Sequence, residues 1–175
     1  MESKCRTLRA KLAAIAHKKQ LLQAVVDLPF SYRLEAASLD LGIIVLLLAN
    51  KKTGMIERVA LSDTELAKGA ATMSVKRFED IQIPLDCAEN SIVKALQTGK
   101  PQSTVDWKYL FVPALTAKEA RLNQAGGAIA YSAVYPLPGV AMERHLFLVT
   151  INIQTKSAMT KRGLWSVTAR LWQSA

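Results

Sequence analysis

Cysteine and histidine are nearly absent: Cys5, Cys87, His17 and His145 are all the chain contains. Two thiols cannot build a disulfide framework or a four-cysteine zinc module, and their scarcity fits a reducing compartment. Neither a metal nor a cofactor is expected. A glycine-rich phosphate loop is also missing, since Gly126-Gly127 is a lone pair that reads as a backbone swivel ahead of a strand. Long apolar runs are missing too. The greasiest stretch, Leu41 to Ala49 (LGIIVLLLA), is closed by Asp40 and Asn50 and is less than half the ~20 residues a membrane-crossing helix needs. It reads as a buried strand. The N-terminus is basic and lacks the apolar segment and small-residue cleavage site of a secretory signal, so a cytoplasmic location away from membranes is expected.

What is present describes one globular domain. The chain has 175 residues, half of them hydrophobic and 21% charged, a composition unlike that of disordered or fibrous proteins. Twenty-three basic residues against 14 acidic ones give a net charge of +9. The excess lies at the two ends, with six basic residues and one acid up to Gln20 and four basic residues and no acid from Thr155 onward.

From Cys5, the residues Leu8, Leu12, Ile15, Lys19, Leu22 and Val26 follow in alternating steps of three and four, the seam of a heptad. They predict an amphipathic helix within residues 1–30, ended near Leu28-Pro29. Its seam (Leu8, Leu12, Ile15, Leu22) packs either on the protein's own body or against a second copy. Residues 31–154 form the central domain. Leu39 to Asn50 and Met55 to Ser62 read as a hairpin around Lys51-Lys52-Thr53-Gly54, with the first strand central in its sheet. Ser62-Asp63-Thr64-Glu65 reads as a capping box, and Asp86 to Glu89 as the opening of a helix that stops at Gly99 before Pro101. Thr116-Ala117-Lys118-Glu119 is a second capping box. Ile129 to Leu137 and Leu146 to Ile153 alternate as strands, and residues 155–175 predict a last amphipathic helix packing with the first. Helices interspersed with hairpins define an α+β class.

Ile83-Pro84-Leu85, followed by Asn90-Ser91-Ile92-Val93-Lys94-Ala95-Leu96-Gln97-Thr98-Gly99-Lys100-Pro101, resembles the GAF domain, a sensory ligand-binding fold. The long strand and hairpin before this segment and Tyr135-Pro136-Leu137 after it extend the resemblance over roughly residues 31–154. The resemblance implies a central antiparallel sheet of five or six strands in the order 2-1-5-4-3, with the terminal helices on one face and short helices, loops and a ligand cavity on the other. It also implies homodimerisation through the terminal helices. One departure is the charged segment Met142 to Leu146 (MERHL), where the family has a glycine-containing strand. With no output domain of its own, the chain is expected to act as a stand-alone sensory or regulatory module, answering to a small molecule or a separate partner protein.

Trp107-Lys108-Tyr109-Leu110-Phe111 places three aromatics in five residues, in a segment that lines the cavity in GAF-like folds. With Phe78, Tyr131 and Tyr135 they form the candidate ligand pocket, since aromatic walls with a few polar tips suit a small ligand. The alternative is that these rings fill the space. A catalytic site is not expected. Relatives that reduce free methionine sulfoxide use several cysteines facing the cavity, whereas Cys5 lies in the terminal helix. Bilin-binding relatives carry a histidine beside their cysteine, whereas Cys87 precedes Ala88. A remote alternative is a redox enzyme centred on Cys87. The basic residues Arg6, Arg9, Lys11, Lys18, Lys19, Lys161, Arg162 and Arg170 form one face if the terminal helices meet, which makes a nucleic-acid-associated regulator the second reading.

Overall fold

Strand β1, Leu41–Asn50, organises the chain in a computed structural model that describes residues 10, 14–31, 41–137 and 144–152, the last stretch by its backbone alone. β1 is buried along nearly its whole length on both faces. It pairs antiparallel with β2 (Met55–Leu61) on one side and β6 (Arg144–Asn152) on the other. The short β3 (Ile83–Pro84) flanks β2, while β5 (Ile129–Pro136) and β4 (Gln102–Thr104) continue beyond β6. The result is a six-stranded sheet in the order β3-β2-β1-β6-β5-β4. The α+β class and the antiparallel pairing agree with the sequence reading. At the β1–β2 turn, the Asn50 carboxamide oxygen accepts from the backbone amides of Lys52 and Thr53 at 3.0 and 3.4 Å, and Gly54 takes φ +70°.

Because strand side chains alternate, β1 feeds two cores. Ile43, Val45, Leu47 and Ala49 pack beneath a layer of short helices: α2 (Glu65–Met73), α3 (Ser91–Thr98), α4 (Lys108–Phe111) and α5 (Ala117–Gly126). Ile44 and Leu46 face the opposite way and join Val26, Leu22 and Val25 of α1 (Lys18–Asp27).

The first helix differs from expectation. α1 begins only at Lys18, because His17 is extended and Ile15 and Ala16 are non-helical, so the heptad from Cys5 to Val26 is not one continuous helix. Leu22 packs on the protein's own sheet. Leu8 and Leu12 lie outside the described residues, as do Arg6, Arg9, Lys11, Lys161, Arg162, Arg170 and the helix expected over 155–175. Lys18 and Lys19 are exposed on α1. α1 is tied to the hairpin by Gln23, whose carboxamide nitrogen donates to the Leu61 carbonyl at 2.7 Å, and by Asp27, whose carboxylate accepts from the Asp63 amide at 2.6 Å.

Two helix starts also move. α2 is capped by Thr64, whose hydroxyl oxygen accepts from the Ala67 amide, and not by Ser62. Ser62 is occupied elsewhere, exchanging bonds with Ile44 at the end of the β1–β2 ladder. α3 starts at Ser91, and Asp86 to Glu89 is a turn. The cap is Asn90, which accepts from the amides of Ile92 and Val93 and donates to the carbonyls of Leu110 (2.7 Å) and Val112 (3.0 Å). The α3 stop at Gly99, with φ +64°, and the complete capping box of Thr116 and Glu119 stand as read.

Asn90 thus satisfies two helix amides and two buried carbonyls at once. Asn90→Ala is expected to cost about 2–4 kcal/mol in urea denaturation; a loss below about 1 kcal/mol shows that those carbonyls find other donors. α4 is fastened through Asp106, which accepts from the Lys108 amide at 2.9 Å and from the Arg121 guanidinium at 2.8 Å. The Arg121 bond, aided by the Lys108 amide, holds the Asp106 carboxyl below its ordinary value. The stabilisation is therefore present above the ordinary carboxylate range and is lost as pH falls through the depressed native value. The stability gap between wild type and Asp106→Asn is expected to stay constant near neutrality and shrink below about pH 4. A gap independent of pH down to 2 contradicts this role.

Candidate functional site

Between the sheet and the helical layer lies a cavity of about 40 Å³. On the same measure one water needs ~10–15 Å³, so the space suits a molecule of a few non-hydrogen atoms. Ile43, Val45 and Leu61 form its floor, and α2 contributes only the methyl groups of Ala67, Ala70 and Ala71. The opposite wall is aromatic. Trp107 and Phe111 meet edge to face with ring centroids 5.0 Å apart. The indole nitrogen donates to Ser132 on β5 at 2.8 Å, and the Trp107 amide donates to Gln124 on α5 at 2.9 Å. The Gln124 carboxamide also donates to the carbonyls of Val105 and Ile129, so this wall is held from three sides.

The polar element is Arg58, which lines the cavity from β2. Its position follows from an irregularity in the strand pairing: Leu46 pairs with Ala60, but Leu47 pairs with Arg58, leaving Val59 as an extra residue. Such a bulge lets Val59 and Ala60 both join the α1 side while Arg58 and Leu61 face the helical layer. The guanidinium carbon lies 4.4 Å from the centroid of the Phe78 ring and 5.4 Å from that of Phe111, within cation–π range. Among the described residues, no carboxylate or hydrogen-bond acceptor pairs with it, and none reaches its buried Nε. Burial alone lowers its pKa to about 10, so the group remains a cation at neutral pH.

A second unsatisfied atom lines the same cavity. Asn123 on α5 is buried, and its nitrogen donates to the Ser74 hydroxyl oxygen at 3.1 Å. Its carboxamide oxygen has no donor. Ser74, just beyond α2, also lines the cavity and has its own hydroxyl proton to give.

Of the six aromatics expected at the pocket, the structure brings together Phe78, Trp107 and Phe111. Tyr109 is 47% exposed and carries the Lys108 ammonium over its ring at 4.5 Å, away from the cavity. Tyr135 packs with the α1-side cluster, and neither it nor Tyr131 lines the cavity. The reason is a register shift between Ile129 and Tyr131, which leaves Ser132 and Val134 facing the helices. Arg58, Ser74 and Asn123 were not anticipated. A signal for Arg58 existed in the spacing Ile56, Val59, Leu61, whose step of three breaks strand alternation and marks a bulge. Cys87 lies in the turn before α3, its sulfur 3.9 Å from the Val112 carbonyl oxygen, and does not line the cavity. Among the described residues, no three His, Cys, Asp or Glu side chains are placed to share a metal ion, and no helix is long and apolar enough to cross a membrane.

No family model matches the sequence, and no curated protein is significantly similar to it. Solved structures are similar in fold. A methyl-accepting chemotaxis protein, residues 122 to 287, superposes with a TM-score of 0.59 at 12% identity, covering 95% of this chain and 92% of the other. The phycoerythrobilin-bound GAF domain of a cyanobacterial phytochrome gives 0.58 at 13% identity, covering 99% and 91%. The GAF domain of an Acinetobacter phosphoenolpyruvate-protein phosphotransferase gives 0.57 at 10%, covering 98% and 90%. Identities this low speak to the fold alone, and the fold is that of a GAF domain.

Proposed function

We propose that this protein is a non-enzymatic sensory or regulatory module that binds a small molecule in the cavity between its sheet and its helical layer. The observation that carries this reading is the pairing of a preformed aromatic wall with an unsatisfied donor and an unsatisfied acceptor, Arg58 Nε and Asn123 Oδ1. Small-ligand sites combine apolar walls with a few convergent polar groups, and here those groups have no partner until something enters. The GAF fold is consistent with such a role, and its neighbours include a phycoerythrobilin-bound GAF domain. This cavity is far too small for a tetrapyrrole. The redox alternative centres on Cys87, whose thiol does not line this cavity and lies 3.9 Å from the Val112 carbonyl oxygen.

A screen of small polar molecules by thermal shift tests the reading. A ligand at one hundred times its Kd adds ~2.7 kcal/mol, which raises the melting temperature of a chain this size by roughly 5–10 °C. Ala71 lies at the exposed rim of the cavity, so Ala71→Leu is expected to fold normally and cover the mouth. Its melting temperature without ligand should stay within about 2 °C of wild type, while the ligand-induced rise disappears. A response undiminished in Ala71→Leu, or no response to any member of the screen, contradicts the proposal.

A further inference from the structure

We infer that the cavity recognises a small carboxylate carrying a hydroxyl or amino group beside its charge, a 2-hydroxy or 2-amino acid of the smallest size. The inference rests on the ligand-binding reading above and assigns its chemical class. The first observation is that Arg58 presents a guanidinium with neither an ion pair nor a hydrogen bond among the described residues, its carbon 4.4 and 5.4 Å from the ring centroids of Phe78 and Phe111. Ring contacts of this kind stabilise the charge without supplying an oxygen acceptor to the N–H donors. An anion with two coplanar oxygens matches those donors. Phosphate monoesters and nucleotides match the charge but not the volume.

The second observation is that Asn123, which lines the same cavity, has an unsatisfied carbonyl oxygen, with its nitrogen already committed to Ser74. An acceptor cannot contact a carboxylate favourably, so this atom calls for a donor on the ligand, either O–H or N–H. Ser74, which lines the same cavity, can add one more hydroxyl donor to the ligand. A simple inorganic anion satisfies Arg58 and leaves Asn123 orphaned, whereas a neutral polyol can hydrogen-bond both atoms but leaves the guanidinium charge uncompensated. A carboxylate with a neighbouring donor pairs both atoms and supplies the missing counter-charge as well.

The decisive measurement compares four probes of matched size at fixed ionic strength: glycolate, acetate, glycolamide and 1,2-ethanediol. Affinity is read by saturation-transfer NMR and thermal shift on the full chain. Glycolate is expected to bind roughly tenfold more tightly than acetate, the increment of one well-made hydrogen bond, and ~100-fold more tightly than glycolamide. Arg58→Met keeps the length of the side chain without its charge. It should melt at the same temperature or higher and lose glycolate binding by ~100-fold, with Arg58→Lys in between. If Arg58→Met melts lower and still binds glycolate, the arginine is structural and the assignment is wrong. Equal affinity for glycolate and acetate removes the role of Asn123. If 1,2-ethanediol or glycolamide binds in wild type but not in Ala71→Leu while glycolate does not bind, the cavity is a ligand site of another class. Silence from all four, and from the wider screen, overturns the site itself.

Discussion

A strand with no polar face must be covered twice. β1 contributes Ile44 and Leu46 to one side and Ile43, Val45 and Leu47 to the other, and neither set can be left in water. The two covers are built differently. One is a single helix, α1, laid against the sheet through Leu22, Val25 and Val26. The other is assembled from four short helices and their connections, each fastened by its own polar device: Thr64 for α2, Asn90 for α3, Asp106 for α4 and the Thr116–Glu119 box for α5. A patchwork of short pieces tiles a twisted sheet less completely than one helix does. Where α2 supplies only alanine methyl groups opposite the rigid Trp107–Phe111 wall, the tiling leaves the cavity.

What separates this cavity from an ordinary packing gap is the energetic position of Arg58. Withdrawing a guanidinium from water without a counter-charge costs several kcal/mol, and contacts with aromatic faces return roughly 1–2 kcal/mol of that. A methionine or leucine of similar reach fills the space more favourably. The bulge at Val59 is equally specific, since it turns a charged residue inward that regular pairing from Leu61 places on the other face. Imbalance of this kind concentrates at sites whose partner arrives from outside.

Much of the fold was legible because its signals are local. The apolar run from Leu41 to Ala49, the Lys51–Gly54 turn, the glycine stop at Gly99 and the Thr116 capping box each depend on residues within a few positions of one another. The misplacements had competing long-range causes. Ser62 looked like a helix cap, but a cross-strand bond to Ile44 claims its hydroxyl. The Cys5 to Val26 heptad looked continuous, but the chain leaves the helix at Ile15 to His17. Trp107, Phe111 and Phe78 come together around the cavity, and their aromatic clustering is visible in sequence. Tyr131 and Tyr135 were misassigned because the shift after Ile129 changes which parity faces the helices. Arg58 and Asn123 escaped notice because one arginine and one asparagine among polar neighbours resemble solvated surface until three-dimensional packing removes their partners.

The cavity and α1 lie on opposite faces of the sheet, yet one residue belongs to both environments. Leu61 forms part of the cavity floor with its side chain, and its carbonyl accepts the Gln23 bond from α1 at 2.7 Å. Two residues on, the Asp63 amide donates to Asp27 at the end of the same helix. Arg58 is three residues before Leu61 on that strand, across the bulge. A ligand that draws the guanidinium toward itself acts on β2 at an irregularly paired point, where strands adjust most readily. Any adjustment there reaches α1 both through these two hydrogen bonds and through Val59 and Ala60, which pack in the α1-side cluster. For such a path to carry a signal, the ligand must favour one arrangement of β2 over another, because equal affinity for both shifts nothing. A charged ligand held by a residue on β2 itself meets that condition more directly than an apolar ligand held by the helical layer. On the proposed reading, the chemistry of the site and a route to α1 converge on the same side chain.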